Sequence, residues 1–441
     1  MAKTIVVLGA GESGVGAAIL AKKKGLDVFV SDRAAISKEN KKVLSNNEIK
    51  WEEGGHRIDK ILQAKEVIKS PGIPDDTGMI KEIKSAGISV VSEVEFAFRY
   101  TKAKVVAITG SNGKTTTTLL VGHILKKAGL DVLVAGNIGI GFAKEIAKRD
   151  YDYIVLELSS FQLDGIKEFK PNVAIILNIT TDHLNRYEND FNKYIESKFR
   201  ITMNQKKEDV LIYNKDDKAI KKGLKTKAKT IAITLENQME VDGAFYKNNE
   251  ININLNNNKM TIQELALQGK HNIYNSMAAA IATRILNVKN DIIRQSMLDF
   301  QNIEHRLEYV LSVHGIDFIN DSKATNINAA WYALESMTKP VIWIVGGVDK
   351  GNDYNEIKEL VKEKVKVIVC LGESSKKIQK YFKKIVNKIE TASSMQEAVR
   401  ASYSLADKGD VVLLSPTCAS FDLFDNFEHR GQEFKNQVRK L

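Results

Sequence analysis

Apolar positions along the chain fall into short β-branched runs separated by helix-length amphipathic stretches. Thr4–Leu8, Asp27–Ser31, Lys104–Thr109, Asp131–Ala135, Tyr153–Leu158, Val173–Asn178, Val341–Val345, Val367–Leu371 and Val411–Leu414 read as buried strands. Strands covered on both faces by helices need such near-continuous apolar runs, so the alternation predicts an α/β fold built on parallel sheets. Three strand-to-helix turns rich in Gly, Asp, Asn or Ser can each open a separate sheet: Gly9–Gly14, Gly110–Thr115, and Asp321–Asn326 with Gly346–Gly347. Three domains are therefore expected, with boundaries near 93 and 300. One stretch breaks the pattern. Residues 236–262 are Asn-rich and alternate with period two (Ile251, Ile253, Leu255, then Met260 and Ile262), which predicts a hairpin turning at Asn256–Asn258.

Bulk properties narrow the class. A chain of 441 residues exceeds one core at roughly 100–200 residues per domain. It is 43% hydrophobic and 27% charged, ordinary for a globular protein. The longest apolar runs are strand-sized, far from the roughly 18 residues of a membrane span. The start of the chain reads as a strand followed by glycines rather than as a leader, so export is not expected. Of the two cysteines, Cys370 lies in the apolar run VIVCLG, the setting of a reduced core thiol. A cytoplasmic location is expected. Net charge is +10, but the lysines are scattered along helical stretches. They read as a solvated surface that also attracts polyanionic small molecules; no nucleic-acid-recognition module accompanies them.

The sequence Gly9-Ala-Gly11-Glu-Ser-Gly14 follows a strand and opens a helix, and Asp32 closes the next strand. Glycines there let backbone approach a pyrophosphate at a helix N-terminus, and the acid holds a ribose. NAD, another nucleotide such as a UDP-sugar, and an unliganded tight turn all remain open on this motif alone. A second loop runs Gly110, Ser111, Asn112, Gly113, Lys114, Thr115, Thr116 after the strand KVVAIT. Backbone N–H groups would cradle phosphates, Lys114 would reach the β/γ-phosphates, and the Thr115 hydroxyl would bind Mg²⁺. It is shorter than the usual GxxxxGK[ST] loop, whose first glycine would fall at Ile108. A γ-phosphate site is something a dehydrogenase does not need. Further polar residues follow predicted strand ends: Asn137, then Glu157 with Ser159, Ser160 and Gln162, then Asp182 and His183. That edge is where open α/β sheets bind ligands. Glu157 and His183 there are candidate ligands of a divalent metal.

These motifs, taken with others, resemble the Mur ligase family over essentially the whole chain. The resemblance rests on TGSNGKTT, GNIG at 136–139, LELSSFQL at 156–163, TTDHL at 180–184 and ESKFRI at 196–201. It continues through HNIYN at 271–275, EHRLE at 304–308, NDSKATN at 320–326, GGVDKG at 346–351 and SPTCASFDLFDNFEHRGQEF at 415–434. The last block and GAGESG point to the members that add D-glutamate. The resemblance implies a Rossmann-like domain over 1–93 and a central P-loop ATPase-like parallel-sheet domain with a small β extension over 94–300. A C-terminal Rossmann-like domain over 301–441 completes it.

The implied activity is ATP-dependent ligation of D-glutamate to UDP-N-acetylmuramoyl-L-alanine through an acyl phosphate, in peptidoglycan precursor synthesis. Another amino-acid ligase of the family, or an NAD-dependent oxidoreductase, stands as the alternative. By resemblance, Ser13, Asp32, Arg33, Ser70, Pro71 and Gly72 hold the UDP end, and Asn137, Ser159 and Gln162 the rest of that substrate. Asn272, Asn275, Arg306, Asp321 and Lys323 complete the ATP site begun by 110–116. Thr325, Lys350, Ser420, Phe421 and Phe427 receive D-glutamate. Two Mg²⁺ sites are implied, with Thr115, Glu157, His183 and Lys198 as ligands. Lys198 reads by itself as a solvated helix lysine. In the family the matching lysine is carbamylated, which replaces a repelled ammonium by the anionic oxygen a hard cation prefers. Lys114, Glu157, His183 and Lys198 are thus the expected catalytic set, in a monomer with small-molecule substrates, no nucleic acid and no membrane insertion.

Overall fold

The computed structural model describes residues 4–138, 140–182, 184–236, 242–267, 269–300, 304–349 and 351–441. Contacts divide the chain into two compact units, Met1–Glu264 with Tyr274–Leu298, and Leu265–Ile273 with Asp299–Leu441. The larger unit holds two sheets and the smaller one a third.

The first sheet contains β1 (Ile5–Leu8), β2 (Val28–Ser31), β3 (Lys50–Glu52), β4 (Glu66–Lys69) and β5 (Ser89–Ser92) in the order β3-β2-β1-β4-β5. All its pairings are parallel. Strand order reverses between β1 and β4, so a crevice opens at their carboxyl ends, beside Gly9 and Ser70.

The second sheet contains β6 (Lys104–Thr109), β7 (Val132–Gly136), β8 (Tyr153–Glu157), β9 (Val173–Ile176), β10 (Val210–Asn214) and β11 (Lys229–Thr234). It ends with β12 (Gly243–Lys247), β13 (Glu250–Leu255) and β14 (Asn258–Ile262), in the order β14-β13-β12-β11-β10-β9-β6-β8-β7. It is parallel except for the last two pairings. Two Asn-Asn turns make that extension: Asn248 and Asn249 at φ 53° and 61°, Asn256 and Asn257 at φ 51° and 60°. Asparagine tolerates the left-handed region such tight turns demand. The expected hairpin is present with Asn258 already in β14; the earlier hairpin was not expected, because GAFYK lacks period-two alternation.

Core packing runs across the first two sheets. Val7 and Val30 from the first, Ala107, Leu156 and Ile176 from the second, and Phe96 and Phe142 all belong to one continuous apolar cluster. The helix Glu12–Lys23 packs on the helix Phe142–Ile146. A Cβ on Gly16 would lie 3.0 Å from Lys144, and Lys23 Nζ donates to Ala147 O at 2.9 Å.

The smaller unit contains β15 (Glu308–Val313), β16 (Ile316–Asn320), β17 (Val341–Val345), β18 (Val365–Leu371), β19 (Lys388–Ala392) and β20 (Val411–Leu414). Their order is β15-β16-β20-β17-β18-β19, with only β15 antiparallel. Alternate residues of β17 serve opposite faces: Trp343 joins one apolar cluster, Ile342 and Ile344 the other.

Candidate active site

Strands β6, β8 and β9 end at one level, with Ile108 beside Glu157 and Thr109 beside Ile176. The phosphate-type loop leaves that edge and turns into the helix Lys114–Lys127 at Gly113, whose φ is 83°. A Cβ at Gly113 would sit 2.3 Å from Asn275 Oδ1, so only glycine meets both the conformation and the approach. Asn178 frames the loop. Its carbonyl accepts Ser111 N–H at 2.8 Å, its Oδ1 accepts Asn112 N–H at 2.8 Å, and its Nδ2 donates to Asn112 O at 3.0 Å. Sequence reading extended that strand through Asn178. It stops at Ile176, which frees Asn178 for these bonds. Lys114 Nζ donates back to the carbonyls of Gly110 and Ser111, each at 2.9 Å.

Lys198 is not a surface lysine: it is 1% exposed. Its Nζ donates to Gly110 O at 2.8 Å and lies 4.6 Å from the centre of the Tyr194 ring. Two lysine nitrogens therefore share one carbonyl. Burial, reinforced by the Lys114 charge, holds the Lys198 amine well below the ordinary lysine value, against the pull of Asp182, Asp164 and Glu157. Glu157 is 2% exposed. Its Oε1 accepts from Asn137 Nδ2 at 2.9 Å, while Oε2 is buried with no hydrogen-bond partner among the described residues. His183, nominated as its metal co-ligand, lies outside the described residues. Among the described residues no three His, Cys, Asp or Glu side chains gather as a ready metal cluster. Ser159 and Gln162 bond to each other: Gln162 Oε1 accepts Ser159 N–H at 2.9 Å, and Ser159 Oγ accepts Gln162 N–H at 3.3 Å. They close a capping box on the helix Ser160–Asp164 and present its N-terminus rigidly.

At the first sheet, Asp32 Oδ2 accepts Ala10 N–H at 2.6 Å and Oδ1 accepts Ala34 N–H at 2.8 Å. The acid thus shapes the glycine turn from the neighbouring strand. Ser13 is half-buried and Arg33 exposed at the same crevice edge. Ser70 Oγ is buried with no hydrogen-bond partner among the described residues, and Gly9 lets it approach: a Cβ there would lie 2.5 Å away. Arg186, which sequence reading did not single out, grips the next turn. Its Nη1 donates to Gly72 O and its Nη2 to Pro71 O, both at 3.3 Å, while its guanidinium lies 4.4 Å from the Phe161 ring centre. Its place three residues after Asp-His was the available signal.

In the smaller unit, Asp321 is 4% exposed. Burial pushes its carboxyl up to about 7, opposed by the Arg306 charge and by Ser415 Oγ, which donates at 2.9 Å. Lys323 Nζ lies 5.2 Å from the Phe427 ring centre, and Thr325 N–H donates to Lys323 O at 2.9 Å. Ser420 is buried, Phe421 is 72% exposed, and Lys350 lies outside the described residues. Arg430, buried, donates from Nη2 to Ser322 O at 2.8 Å and from Nη1 to Cys418 O at 3.1 Å. It ties the DSKATN loop to the turn at Thr417, whose φ of 60° is unusual for a β-branched residue. Asn272 is buried with its N–H on Gly269 O at 3.0 Å.

Known proteins place this arrangement. Three domain descriptions match in order: "Mur ligase MurD-like, N-terminal domain" over 3–92, "Mur ligase middle domain" over 108–283, and "Mur ligase, glutamate ligase domain" over 305–418. The UDP-N-acetylmuramoylalanine–D-glutamate ligase of Christiangramia forsetii is 52% identical over 446 residues, covering 100% of both chains. The chain belongs to the Mur ligase family. Similarly named Mur ligases of Bacteroides fragilis (50% identical, 100% of both chains) and Porphyromonas gingivalis (51%, 99% of this chain and 98% of that one) match as fully. Solved Mur ligase relatives share the fold at lower identity. The pseudomurein peptide ligase type C of Methanothermus fervidus superposes with TM-score 0.63 at 24% identity, covering 99% of each chain. The MurF ligase of Thermotoga maritima, solved with ADP, gives 0.61 at 16% over 94% of this chain and 95% of that one.

Proposed function

We propose that this Mur ligase joins the amino group of D-glutamate to the alanyl carboxylate of UDP-N-acetylmuramoyl-L-alanine, converting ATP to ADP and phosphate, in the cytoplasm. The observation that carries the reading is 52% identity over the full length to a ligase so named. The phosphate-type loop 110–116 supports it, since a carboxylate must be activated before an amine can displace its oxygen.

The carboxylate attacks the γ-phosphorus and ADP leaves, giving an acyl phosphate. The D-glutamate amine then attacks the acyl carbon, phosphate leaves, and the amine loses its extra proton. The loop N–H groups and Lys114 orient the phosphates and offset charge on the transferring group. Ser111, Asn112, Thr116 and Asn275 shape that loop, and Asn272, Arg306, Asp321 and Lys323 serve the remainder of the nucleotide. Ser13, Asp32, Arg33, Ser70 and Gly72 hold the UDP end, so the glycine turn receives a UDP pyrophosphate rather than NAD. Asn137, Ser159 and Gln162 contact the muramoyl-alanine part. Thr325, Lys350, Ser420, Phe421 and Phe427 receive D-glutamate, with Lys350 holding a carboxylate.

Magnesium fits the residues present: Glu157 Oε2, which has no hydrogen-bond partner among the described residues, is an oxygen donor held in a buried place. Thr115, His183 and a carbamylated Lys198 would complete two sites, where bound metal supplies charge neutralisation at the phosphate oxygens. The neutral amine that burial favours at Lys198 is the form that reacts with carbon dioxide. Its lone pair attacks carbon and one proton leaves, and the product is an anionic oxygen ligand. Release of phosphate from ATP only when both the UDP precursor and D-glutamate are present tests the reading. Phosphate release with neither acceptor would contradict it.

A further inference from the structure

One buried carboxyl of the larger unit has been given no role above, yet it bonds to the helix that follows the loop carrying Asn137. Glu93 is buried, only 4% exposed. It begins the helix Glu93–Phe98, directly after β5 of the first sheet. Its Oε1 accepts the N–H of Ala143 at 2.5 Å, in the first turn of the helix Phe142–Ile146 that follows the GNIG loop. The described residues on either side of position 139 are pinned at several points. Asn137 N–H donates to Glu157 O at 2.9 Å, and Asn137 Nδ2 donates to Glu157 Oε1 at 2.9 Å. Ile140 bridges to Ala135, and Gly141 N–H donates to Glu12 Oε1 at 3.3 Å. The loop cannot swell at its start either, because a Cβ on Gly136 would lie 2.3 Å from Glu157 O.

The flanking residues show why Glu93 itself cannot drift. Ser92 N–H donates to Gly165 O at 2.9 Å, and Glu95 Oε2 accepts the N–H groups of Lys167, Glu168 and Phe169 at 2.9, 3.0 and 2.9 Å. The start of this helix is thus clamped to the 165–169 segment ahead of β9 on one side, and Glu93 reaches the start of the helix Phe142–Ile146 on the other. We propose that Glu93 is a positioning residue for the ligation: from the helix after β5 it fixes the 140–143 backbone, and through the bridge of Ile140 to Ala135 it sets where the Asn137 amide stands beside Glu157. This rests on the proposed function, in which Asn137 contacts the UDP precursor. The hydrogen-bond acceptor, not the charge, does the positioning.

The test compares Glu93→Ala, Glu93→Gln and Glu93→Asp in the full chain. Binding of UDP-N-acetylmuramoyl-L-alanine and of ADP is measured by calorimetry, and kcat and KM for each substrate by phosphate release. Losing the acceptor should weaken UDP-precursor binding about ten- to hundredfold, with ADP binding and the KM for ATP nearly unchanged. Glu93→Gln keeps an acceptor oxygen and should restore binding to near wild type. Glu93→Asp, with its acceptor withdrawn by one methylene, should fall with Glu93→Ala, and it serves in place of alanine if that variant does not fold. Unchanged precursor affinity in Glu93→Ala or Glu93→Asp would overturn the proposal, as would equal losses in all three variants. A wild-type chain that binds the precursor but forms no product would instead overturn the proposed reaction, while the binding series still decides the role of Glu93.

Discussion

Single residues carry much of this account, and their environments make separable predictions. Burial pushes the Glu93 carboxyl up to about 7, with the charge of Glu12 adding to the effect and Ala143 N–H opposing it. A carboxyl raised in the folded state contributes stability below the ordinary carboxylate range and loses it as pH rises through about 7. Glu93→Gln should therefore be more stable than wild type at pH 8, by about 1–3 kcal/mol. The gap should close toward pH 4 in denaturant titrations, and a gap independent of pH would contradict the assignment. Lys198 differs, because the role proposed for it is the carbamate that its buried amine would form. Lys198→Ala should lose ligase activity by several orders of magnitude and retain the fold, and short carboxylic acids should restore part of the activity. A melting transition that collapses with the activity would mean that Lys198 serves packing alone. Gly113→Ala places a side chain at φ 83° and 2.3 Å from Asn275 Oδ1. Left-handed backbone alone costs about 1–2 kcal/mol, so ADP affinity and thermal stability should both fall.

At the scale of elements, legibility followed sequence distance. The strand, glycines and Lys114 of the phosphate-type loop are contiguous, so their strand–turn–helix structure could be read directly, as could nine of the buried strands from their apolar runs. Lys198 was legible only through resemblance, since helical periodicity cannot show that its helix is covered on the lysine side as well. Asn178 and Tyr194, whose hydroxyl meets Ser111 Oγ at 3.2 Å, act on segments far away in sequence, and nothing local marks them, while Arg186 had only its place after Asp-His. The SSFQL segment was noticed for its polar residues, but not as a capping box serving its own helix. Glu95 is the clearest case of an element-level device invisible in sequence: one carboxylate oxygen gathers three backbone N–H groups of a turn more than seventy residues away. Glu95→Ala would leave those donors without their acceptor, at about 1–3 kcal/mol for each buried group left unsatisfied. Calorimetry should show a large drop in melting temperature, partly recovered in Glu95→Gln, and an unchanged transition would contradict the clamp.

Across the molecule, the residues assigned to UDP and to ATP phosphates belong to different sheets of the larger unit, and those assigned to D-glutamate belong to the smaller one. Lys114→Ala should accordingly abolish turnover while leaving calorimetric affinity for the UDP precursor within about threefold of wild type. The division into three sheets was legible from three separate turn motifs. The continuity of packing between the first two was not, because it depends on helix faces such as that of Glu12–Lys23 meeting residues over a hundred positions away. The central claim is the acceptor pair, and one measurement tests it most directly: incorporation of radiolabelled D-glutamate into UDP-N-acetylmuramoyl-L-alanine with ATP and Mg²⁺, beside L-glutamate. A labelled UDP-linked product and stoichiometric ADP are expected with the D-isomer, and almost none with the L-isomer, whose amine would point away from the acyl carbon if both carboxylates stay held. Equal use of both isomers, or no UDP-linked product with either, would contradict it.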